Sequence, residues 1–271
     1  MNKAYLLVIC LVLVPFTGCT DVEEPELEEE IIRAWDFFAI EVDHNIVPNL
    51  TNHVAIGIAN LGSHSATFDV SFNSSYPMHF MGYSSDFDVT EEGTNVELSV
   101  DSGHVRILIL EINSTSAFNS ADISANMNWN GGSASKSISL NFGYVLKGEK
   151  VEIGDTTYSY YAGFLESNGR LFDTNIEYVW DNYDYLMEGT PSGNRHTDPL
   201  QARNVGCNGD GDPSENCEGS KGMIMGFDQG MLGMYGNQTL YVVIPPEDAY
   251  GTSGNNDLAG ETLIFSIRIV S

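Results

Sequence analysis

KGMIMGFDQGMLGM, residues 221–234, decides the fold of the second half of the chain. The apolar pair Met223-Ile224 precedes a short glycine-rich segment, which predicts one short helix. The next segment, QTLYVVIPPEDAYG (238–251), has the pattern of a strand closed by a Pro-Pro turn, and LAGETLIFSIRIV (258–270) predicts a final strand. The three segments predict a helix followed by two strands.

A fourth block lies upstream of these three. YYAGFLESNGRLFDT (160–174) predicts a strand, a turn at Ser167-Asn168-Gly169 and a second apolar stretch that ends in Phe-Asp. In this order the four blocks resemble FKBP-type peptidyl-prolyl isomerases, the macrolide-binding immunophilins. They cover almost all of residues 150–271 apart from one insertion. The resemblance implies a strongly curved antiparallel sheet around one short helix, with an apolar pocket between them.

The resemblance also assigns the residues of that pocket. The pocket aromatics of the family fall on Tyr161, Phe172, Phe227, Tyr250 and Phe265, and its acidic pocket residue falls on Asp173. Met223 and Ile224 fall where the family holds the extended substrate, and Leu258 falls on the apolar flap. Without the resemblance, Tyr250 would be read as a surface tyrosine in a loop and Asp173 as a turn cap. The other four aromatics would be read as core residues of a half-buried sheet.

Several positions depart from the family pattern. Phe227 stands where many members carry Trp, and Asn237 replaces a glycine after the helix, where Asn tolerates the left-handed conformation. The loop 252–257 is shorter than in minimal members. An insertion at about 175–218 separates Asp173 from Met223, and the pocket aromatic that the family carries in this interval has no assigned counterpart.

The preceding region, about 32–144, shows apolar residues at every second position. The runs include Val54/Ile56/Ile58, and the segment 54–72, VAIGIANLGSHSATFDVSF, resembles immunoglobulin-like modules of prokaryotic surface proteins. One buried and one wet face per strand predicts antiparallel sheets stacked as a sandwich. The expected fold is therefore mainly β: an immunoglobulin-like β-sandwich, then an FKBP-like α+β domain at 145–271. The sandwich is interpreted as a spacer, a dimerisation element or a partner-binding module.

Charge and composition limit the function and the location. The 271 residues include 11 Lys+Arg and 38 Asp+Glu, a formal charge of -27, which argues against nucleic-acid binding, and 42% hydrophobic residues, which argue against general disorder. Residues 1–18 have the layout of a secretory signal. Thr17-Gly18-Cys19 resembles a lipobox, which predicts lipidation of Cys19, an acidic tether at 19–31 and anchoring to the outer side of the cell membrane. A plain signal peptide or an uncleaved N-terminal anchor remains an alternative.

Two cysteines remain in the folded part, Cys207 and Cys217. In an oxidising exterior they predict a disulfide. The alternation between them, Asn208, Asp210 and Asp212 with Glu215 nearby, is a weak calcium candidate, because Pro213 stands where such a loop needs Gly. The six histidines show no HxH or HExxH spacing, so no zinc site is predicted.

Asn-x-Ser/Thr sequons mark candidate glycosylation sites at Asn49, Asn73, Asn113 and Asn237, with chance occurrence as the alternative. The function that the sequence predicts is isomerisation of Xaa-Pro bonds in proline-containing unfolded or exported polypeptides, without a cofactor. Two alternatives remain: a chaperone or peptide-binding module that uses the same fold without catalysis, and a surface adhesion protein that acts through the sandwich.

Overall fold

The period-two alternation of the first region folds into two stacked sheets. The computed structural model describes residues 31–41, 43–73, 78–81, 95–113, 120–187, 196–207 and 223–270. In the first region the strands are β1 (Trp35–Ala39), β2 (Asp43–Ile46), β3 (Asn52–Asn60), β4 (Ala66–Asn73), β5 (Met78–Met81), β6 (Asn95–Val100), β7 (Val105–Ile112), β8 (Ser120–Trp129) and β9 (Gly132–Tyr144). One sheet has the order β1-β3-β7-β5 and the other β2-β9-β8-β4-β6.

The sandwich is antiparallel except at one pair. Strand β2 runs parallel to β9, from Asp43↔Asn141 to Ile46↔Tyr144. The chain passes from β1 in one sheet to β2 in the other within a few residues, so β2 joins the edge of the second sheet beside the last strand of the sandwich. Between the sheets lies a core that includes fully buried Ile56, Phe68 and Leu108.

The second region forms a third sheet. Its elements are β10 (Thr156–Leu165), β11 (Leu171–Thr174), α1 (Glu177–Asn182), β12 (Leu200–Arg203), α2 (Met225–Gly230), β13 (Thr239–Ile244) and β14 (Leu263–Val270), with 3-10 turns at Asp184–Leu186 and Pro246–Asp248. The order is β11-β10-β14-β13, with β12 also paired to β10, and every pairing is antiparallel. Helix α2 packs on β13. A Cβ at Gly230 would lie 2.8 Å from Val242, so the bare glycine permits this close approach.

The outer face of the β1-β3-β7-β5 sheet packs against the third sheet. Phe38, Ala55 and Ile107 belong to the same buried cluster as Phe164 and Ile264. We call this cluster the junction. Its buried members are Phe38, Ile40, Ala55, Ala59, Val105, Ile107, Ala162, Phe164, Leu171, Ile176, Val179, Leu186, Met187 and Ile264.

The expectation of one wet face per strand is wrong for β3, in which every residue is buried. Val54, Ile56 and Ile58 face the sandwich core as predicted, but the intervening small residues face the junction. Gly57 leaves the space that the Phe38 ring fills, because a Cβ there would overlap that ring. Small side chains on the second face therefore indicate close packing at this strand.

Polar contacts also join the two regions. Arg268 Nη1 on β14 donates to both carboxylate oxygens of Glu41, at 2.9 and 2.8 Å. The Tyr241 backbone N–H on the edge strand β13 donates to His53 Nδ1 at 3.0 Å. Gln238 Nε2 donates to the Thr51 carbonyl at 2.7 Å. Part of the hydrogen-bonding capacity of the β13 edge is thus satisfied by groups of the sandwich.

The first part of the insertion packs in the junction. Val179 of α1 and Leu186 of the following 3-10 turn are buried there, and the Tyr183 ring packs against Phe38, tilted by 42° with the ring centroids 4.9 Å apart. The Tyr185 hydroxyl donates to Asp36 Oδ2 at 2.6 Å. Within the described ranges, no helix combines the length and apolar character that a membrane crossing requires.

Candidate active site

The face of the third sheet opposite the junction carries a cluster of aromatic rings. Tyr161 projects from β10, Phe172 from β11, Phe227 from α2 and Phe265 from β14. The ring centroid of Phe265 lies 5.0 Å from that of Phe227 and 5.4 Å from that of Phe172, and both pairs meet edge to face. Edge-to-face packing is a preferred aromatic geometry. These contacts hold the rings of Phe172 and Phe227 in place against Phe265.

A missing side chain makes room for this cluster. Gly163 lies on β10 between the rings of Phe172 and Phe265, and a Cβ there would come within 2.7 Å and 2.8 Å of them. Gly163 pairs with Asp173 on β11, next to a β-bulge. The glycine therefore lets two rings meet over the centre of the sheet.

The rings surround an open cavity with a volume of about 550 Å³. Its lining residues are Tyr161, Phe172, Asp173, Leu200, Met223, Ile224, Met225, Phe227, Ala249, Tyr250 and Phe265. The structure thus brings all six residues assigned as catalytic onto one cavity, together with Met223 and Ile224. Leu258 packs at the edge of the apolar cluster beneath the cavity but does not line it.

One side of the cavity is polar. The Tyr161 hydroxyl donates to Asp173 Oδ2 at 2.7 Å, and Tyr161 itself is 7% exposed. Burial, and then the adjacent Asp173 carboxylate, raises the pKa of Tyr161 well above its ordinary value. Burial and Asp173 also raise the pKa of Tyr250, which is 38% exposed. Both hydroxyls therefore keep their protons at physiological pH and remain hydrogen-bond donors.

Two residues from the return arm of the insertion lie at the cavity or beside it. Leu200, at the start of β12, lines the cavity, and His196 Nε2 lies 3.2 Å from the Tyr161 hydroxyl oxygen. Neither residue was predicted from the sequence as a site residue, and Met225 and Ala249 were not predicted either. Leu200 belongs to no long alternating run, and His196 lacks the spacing of a metal motif. Among the described residues of the insertion, the one that lines the cavity is therefore aliphatic, Leu200.

The short helix α2 and the turns near the cavity form where the sequence predicts them. Helix α2 begins after Ile224, which is its N-cap residue. Asn237 has φ of 70°, so the predicted left-handed conformation is confirmed. The turn after β10 has Gly169 at φ of 70°.

Several predicted sites lie wholly or partly outside the described residues. Cys207 is disulfide-bonded, but its predicted partner Cys217 is not among them. The same holds for Cys19 and for the calcium candidates Asn208, Asp210, Asp212 and Glu215. The described ranges contain no group of three or more His, Cys, Asp or Glu side chains that could hold a metal ion.

A comparison with protein families places the second region. Residues 204–270 match the model of the family described as FKBP-type peptidyl-prolyl cis-trans isomerase. The C-terminal part of the chain is an FKBP-type domain. The match spans α2, β13 and β14, hence Phe227, Tyr250 and Phe265. Strands β10 and β11, which lie outside the matched residues, carry Tyr161, Phe172 and Asp173 in the same sheet.

Other comparisons add little about the FKBP-type domain. A comparison with curated proteins found no match. The PapD-like domain 7 of human CEP192 is similar at 10% identity and a TM-score of 0.29, over 49% of this chain and 99% of that one. The C. elegans MSP family member WR4 is similar at 10% identity and a TM-score of 0.29, over 40% of this chain and 97% of that one. E. coli alpha-2-macroglobulin is similar at 13% identity and a TM-score of 0.27, over 50% of this chain and 9% of that one.

Proposed function

We propose that the protein is a peptidyl-prolyl cis-trans isomerase that accelerates the folding of exported polypeptides. The observation that carries this proposal is the convergence of Tyr161, Phe172, Phe227, Tyr250 and Phe265 on one open cavity beside Asp173. The FKBP-type family of the C-terminal part supports the same reaction class. The proposed substrate is an Xaa-Pro bond in an unfolded segment.

The chemistry requires only a suitable environment. A prolyl bond must twist through a state about 18–20 kcal/mol above the planar amide, so uncatalysed exchange takes tens to hundreds of seconds. Twisting removes amide resonance and makes the bond less polar. A dry aromatic pocket therefore favours the twisted state over the hydrated planar one. Neither a nucleophile nor a cofactor is part of this proposal.

Each side chain has a role that follows from its position. Phe227 and Phe265 form the apolar floor that receives the proline ring. Tyr250 is exposed enough to donate its hydroxyl to a substrate carbonyl. The N–H of Ile224 precedes α2 and has no partner inside that helix, so it can pair with the extended substrate backbone.

A protease-coupled proline-peptide assay tests the proposal. We expect acceleration over buffer, and a roughly tenfold lower kcat/KM for Tyr250→Phe because it removes one substrate hydrogen bond. Tyr158→Phe is the matched control, since Tyr158 is similarly exposed on β10 and its hydroxyl accepts from Gln201. Turnover no faster than buffer would reject the proposal, as would equal activity of Tyr250→Phe and the wild type.

A second candidate is a module that holds proline-containing or unfolded segments without isomerising them. The observation that favours it is the flap: Leu258 does not line the cavity, and the cavity is open to solvent. Suppression of client aggregation that survives Tyr250→Phe, in a protein without isomerase activity, would establish this function. Adhesion through the sandwich would instead require a partner that Tyr250→Phe and Phe227→Ala variants still bind.

We also propose that the chain acts outside the cytoplasm, attached to the membrane through lipidated Cys19. The apolar run before Cys19 and the acidic segment after it support this proposal. We expect Cys19→Ser to move the protein from the detergent-rich phase to the aqueous phase in phase separation of labelled cells. Equal partition of the variant and the wild type would reject the lipid anchor.

A further inference from the structure

The insertion begins with a buried asparagine that the proposed reaction does not use. Asn175 is fully buried and directly follows β11. Its Oδ1 accepts from the Tyr161 backbone N–H at 2.7 Å, and its Nδ2 donates to the carbonyls of Ser159 at 3.0 Å and Asp198 at 3.1 Å. The side chain therefore joins strand β10 to the return arm of the insertion.

Asn175 fills a gap between two ladders of β10. The ladder to β12 ends at Ser159, and the ladder to β11 begins at Ala162, so the Tyr161 backbone lies outside both. The Asn175 side chain accepts the Tyr161 N–H, and the Asn175 backbone N–H and Thr174 Oγ1 donate to the Tyr161 carbonyl at 3.2 and 2.7 Å. Because buried backbone groups need partners, these contacts replace the strand that is missing at this point.

The hydrogen bonds of Asn175 require an amide in one orientation. The oxygen faces an N–H group, and both hydrogens of Nδ2 face carbonyl oxygens. A flipped amide would place its NH2 group against the Tyr161 N–H and its oxygen against two carbonyls. A carboxylate has nearly the same shape but has no hydrogen to donate. Asparagine therefore fits this position, and aspartate does not.

Two residues of the cavity wall depend on this anchor. The Tyr161 ring centroid lies 5.6 Å from that of Phe227 and 6.0 Å from that of Phe265. Leu200 begins strand β12, directly after the anchored arm, and also lines the cavity. Asn175 is not among the lining residues, so it acts on a ligand through Tyr161 and Leu200.

We propose that Asn175 is a positioning residue, which places Tyr161 and Leu200 in the cavity from one buried amide and so couples the insertion to the pocket. The inference rests on the proposed function, since it concerns the geometry of that same site. A wall that is displaced by a fraction of an ångström fits the twisted prolyl bond less well, so turnover falls by about tenfold even in a folded protein.

A second buried asparagine provides a matched control. Asn52, at the start of β3 in the sandwich, is also fully buried. Its Oδ1 accepts from the Val47 N–H at 3.0 Å, and its Nδ2 donates to the carbonyls of Val47 at 3.0 Å and Leu50 at 2.8 Å. Replacement of either asparagine by aspartate removes the same two donors from a buried site. Of the two asparagines, Asn175 is the one that bonds to a residue of the cavity wall.

The test compares Asn175→Asp and Asn52→Asp in the full chain, at a temperature at which circular dichroism shows both variants folded. NMR exchange spectroscopy with a proline peptide measures turnover. We expect kcat/KM to fall about tenfold in Asn175→Asp and to stay within about twofold of the wild type in Asn52→Asp. In protein labelled with fluorotyrosine, the fluorine signal of Tyr161, assigned with Tyr161→Phe, should move in Asn175→Asp and stay in place in Asn52→Asp.

Three results would overturn the inference. They are wild-type turnover in Asn175→Asp, an equal loss of turnover in both variants, and a loss of turnover without movement of the Tyr161 signal. If Asn175→Asp does not fold, Asn175→Ser and Asn52→Ser replace the pair, because serine keeps one donor and one acceptor. If Asn175→Ser does not fold either, Asn175 serves folding alone and the inference is rejected.

Failure of the proposed function gives a different result. If the wild type isomerises no peptide, calorimetric affinities of the same peptide take the place of kcat/KM, and the Tyr161 signal is measured as before. Weaker binding together with a displaced Tyr161 signal in Asn175→Asp, but not in Asn52→Asp, would then support the role of Asn175 in a binding module. Unchanged affinity would reject it.

Discussion

The two faces of the third sheet are built from the same strands and have opposite surroundings. On β10, Ala162 and Phe164 face the junction, whereas Tyr161 and Leu165 face the cluster that contains the cavity. On β14, Ile264 and Phe265 divide in the same way. The junction face is covered by apolar groups of the sandwich and of the insertion. The opposite face presents aromatic rings to an open cavity.

This difference separates stability from activity. The junction buries apolar area against a second sheet, which lowers the free energy of the folded state. The cavity keeps rings and hydroxyls accessible to a ligand, which leaves part of their surface without packing partners. We therefore expect substitutions on the junction face to change unfolding, and substitutions on the cavity face to change turnover.

The largest effect should follow from removal of the sandwich. Residues 145–271 alone would expose Ala162, Phe164 and Ile264 to water, so we expect aggregation or loss of fixed tertiary structure. Size-exclusion chromatography and near-ultraviolet circular dichroism measure this. A monomeric fragment with cooperative unfolding and isomerase activity would contradict the importance that we give to the junction.

A single substitution in the junction should weaken both regions together. Phe164 is 2% exposed, so Phe164→Ala should lower the free energy of unfolding by about 3–5 kcal/mol. Denaturant unfolding should show one shifted transition, because the cluster joins the sandwich and the FKBP-type domain. Val243→Ala, at an exposed position of β13, is the control and should cost less than about 1 kcal/mol. Two transitions, with only one shifted, would show that the regions unfold independently.

The pH dependence of stability sharpens the comparison through a buried histidine of the sandwich, His44 on β2. Burial lowers the pKa of His44 from about 6.5 to about 4. Its contribution is therefore fully present above pH 6.5 and is lost as the pH falls towards 4, by roughly 3 kcal/mol in total. His44→Leu should flatten the wild-type decrease in this window, whereas His64→Gln should retain it. Parallel curves for His44→Leu and the wild type would contradict the assignment.

The smallest effect on stability should come from the cavity face. Tyr161→Phe removes the donor to Asp173 and should lower the free energy of unfolding by about 1 kcal/mol. The kcat/KM should nevertheless fall severalfold, because Asp173 loses the group that orients it. Tyr158→Phe again serves as the control. A large loss of stability with unchanged turnover would reverse the roles that we assign to the two faces.

The sequence predicted most of the architecture but only part of the site. The four blocks indicated the family, because the segments that contain Tyr161, Phe227 and Phe265 keep the order of the family in spite of the insertion. His196 and Leu200 could not be found, because their position depends on how the return arm pairs with β10 and not on any local period.

The junction was missed for a related reason. Because Ala55, Gly57 and Ala59 are not large apolar residues, the alternating pattern predicts that they form the solvent-exposed face of β3. These small residues are what a second sheet needs for close approach, but the partner, on β10 and β14, lies more than a hundred residues away in the sequence. Local patterns report what a residue prefers, whereas burial on both faces is decided by a distant segment.

The junction also affects the order in which the chain can mature. During synthesis the sandwich emerges first, and its outer face, with Phe38, Val105 and Ile107, remains without cover until β10 and β14 follow. A nascent chain that stops before residue 145 therefore presents an apolar sheet to other unfolded proteins. The N-terminal half thus remains at risk of aggregation until the last strand has docked.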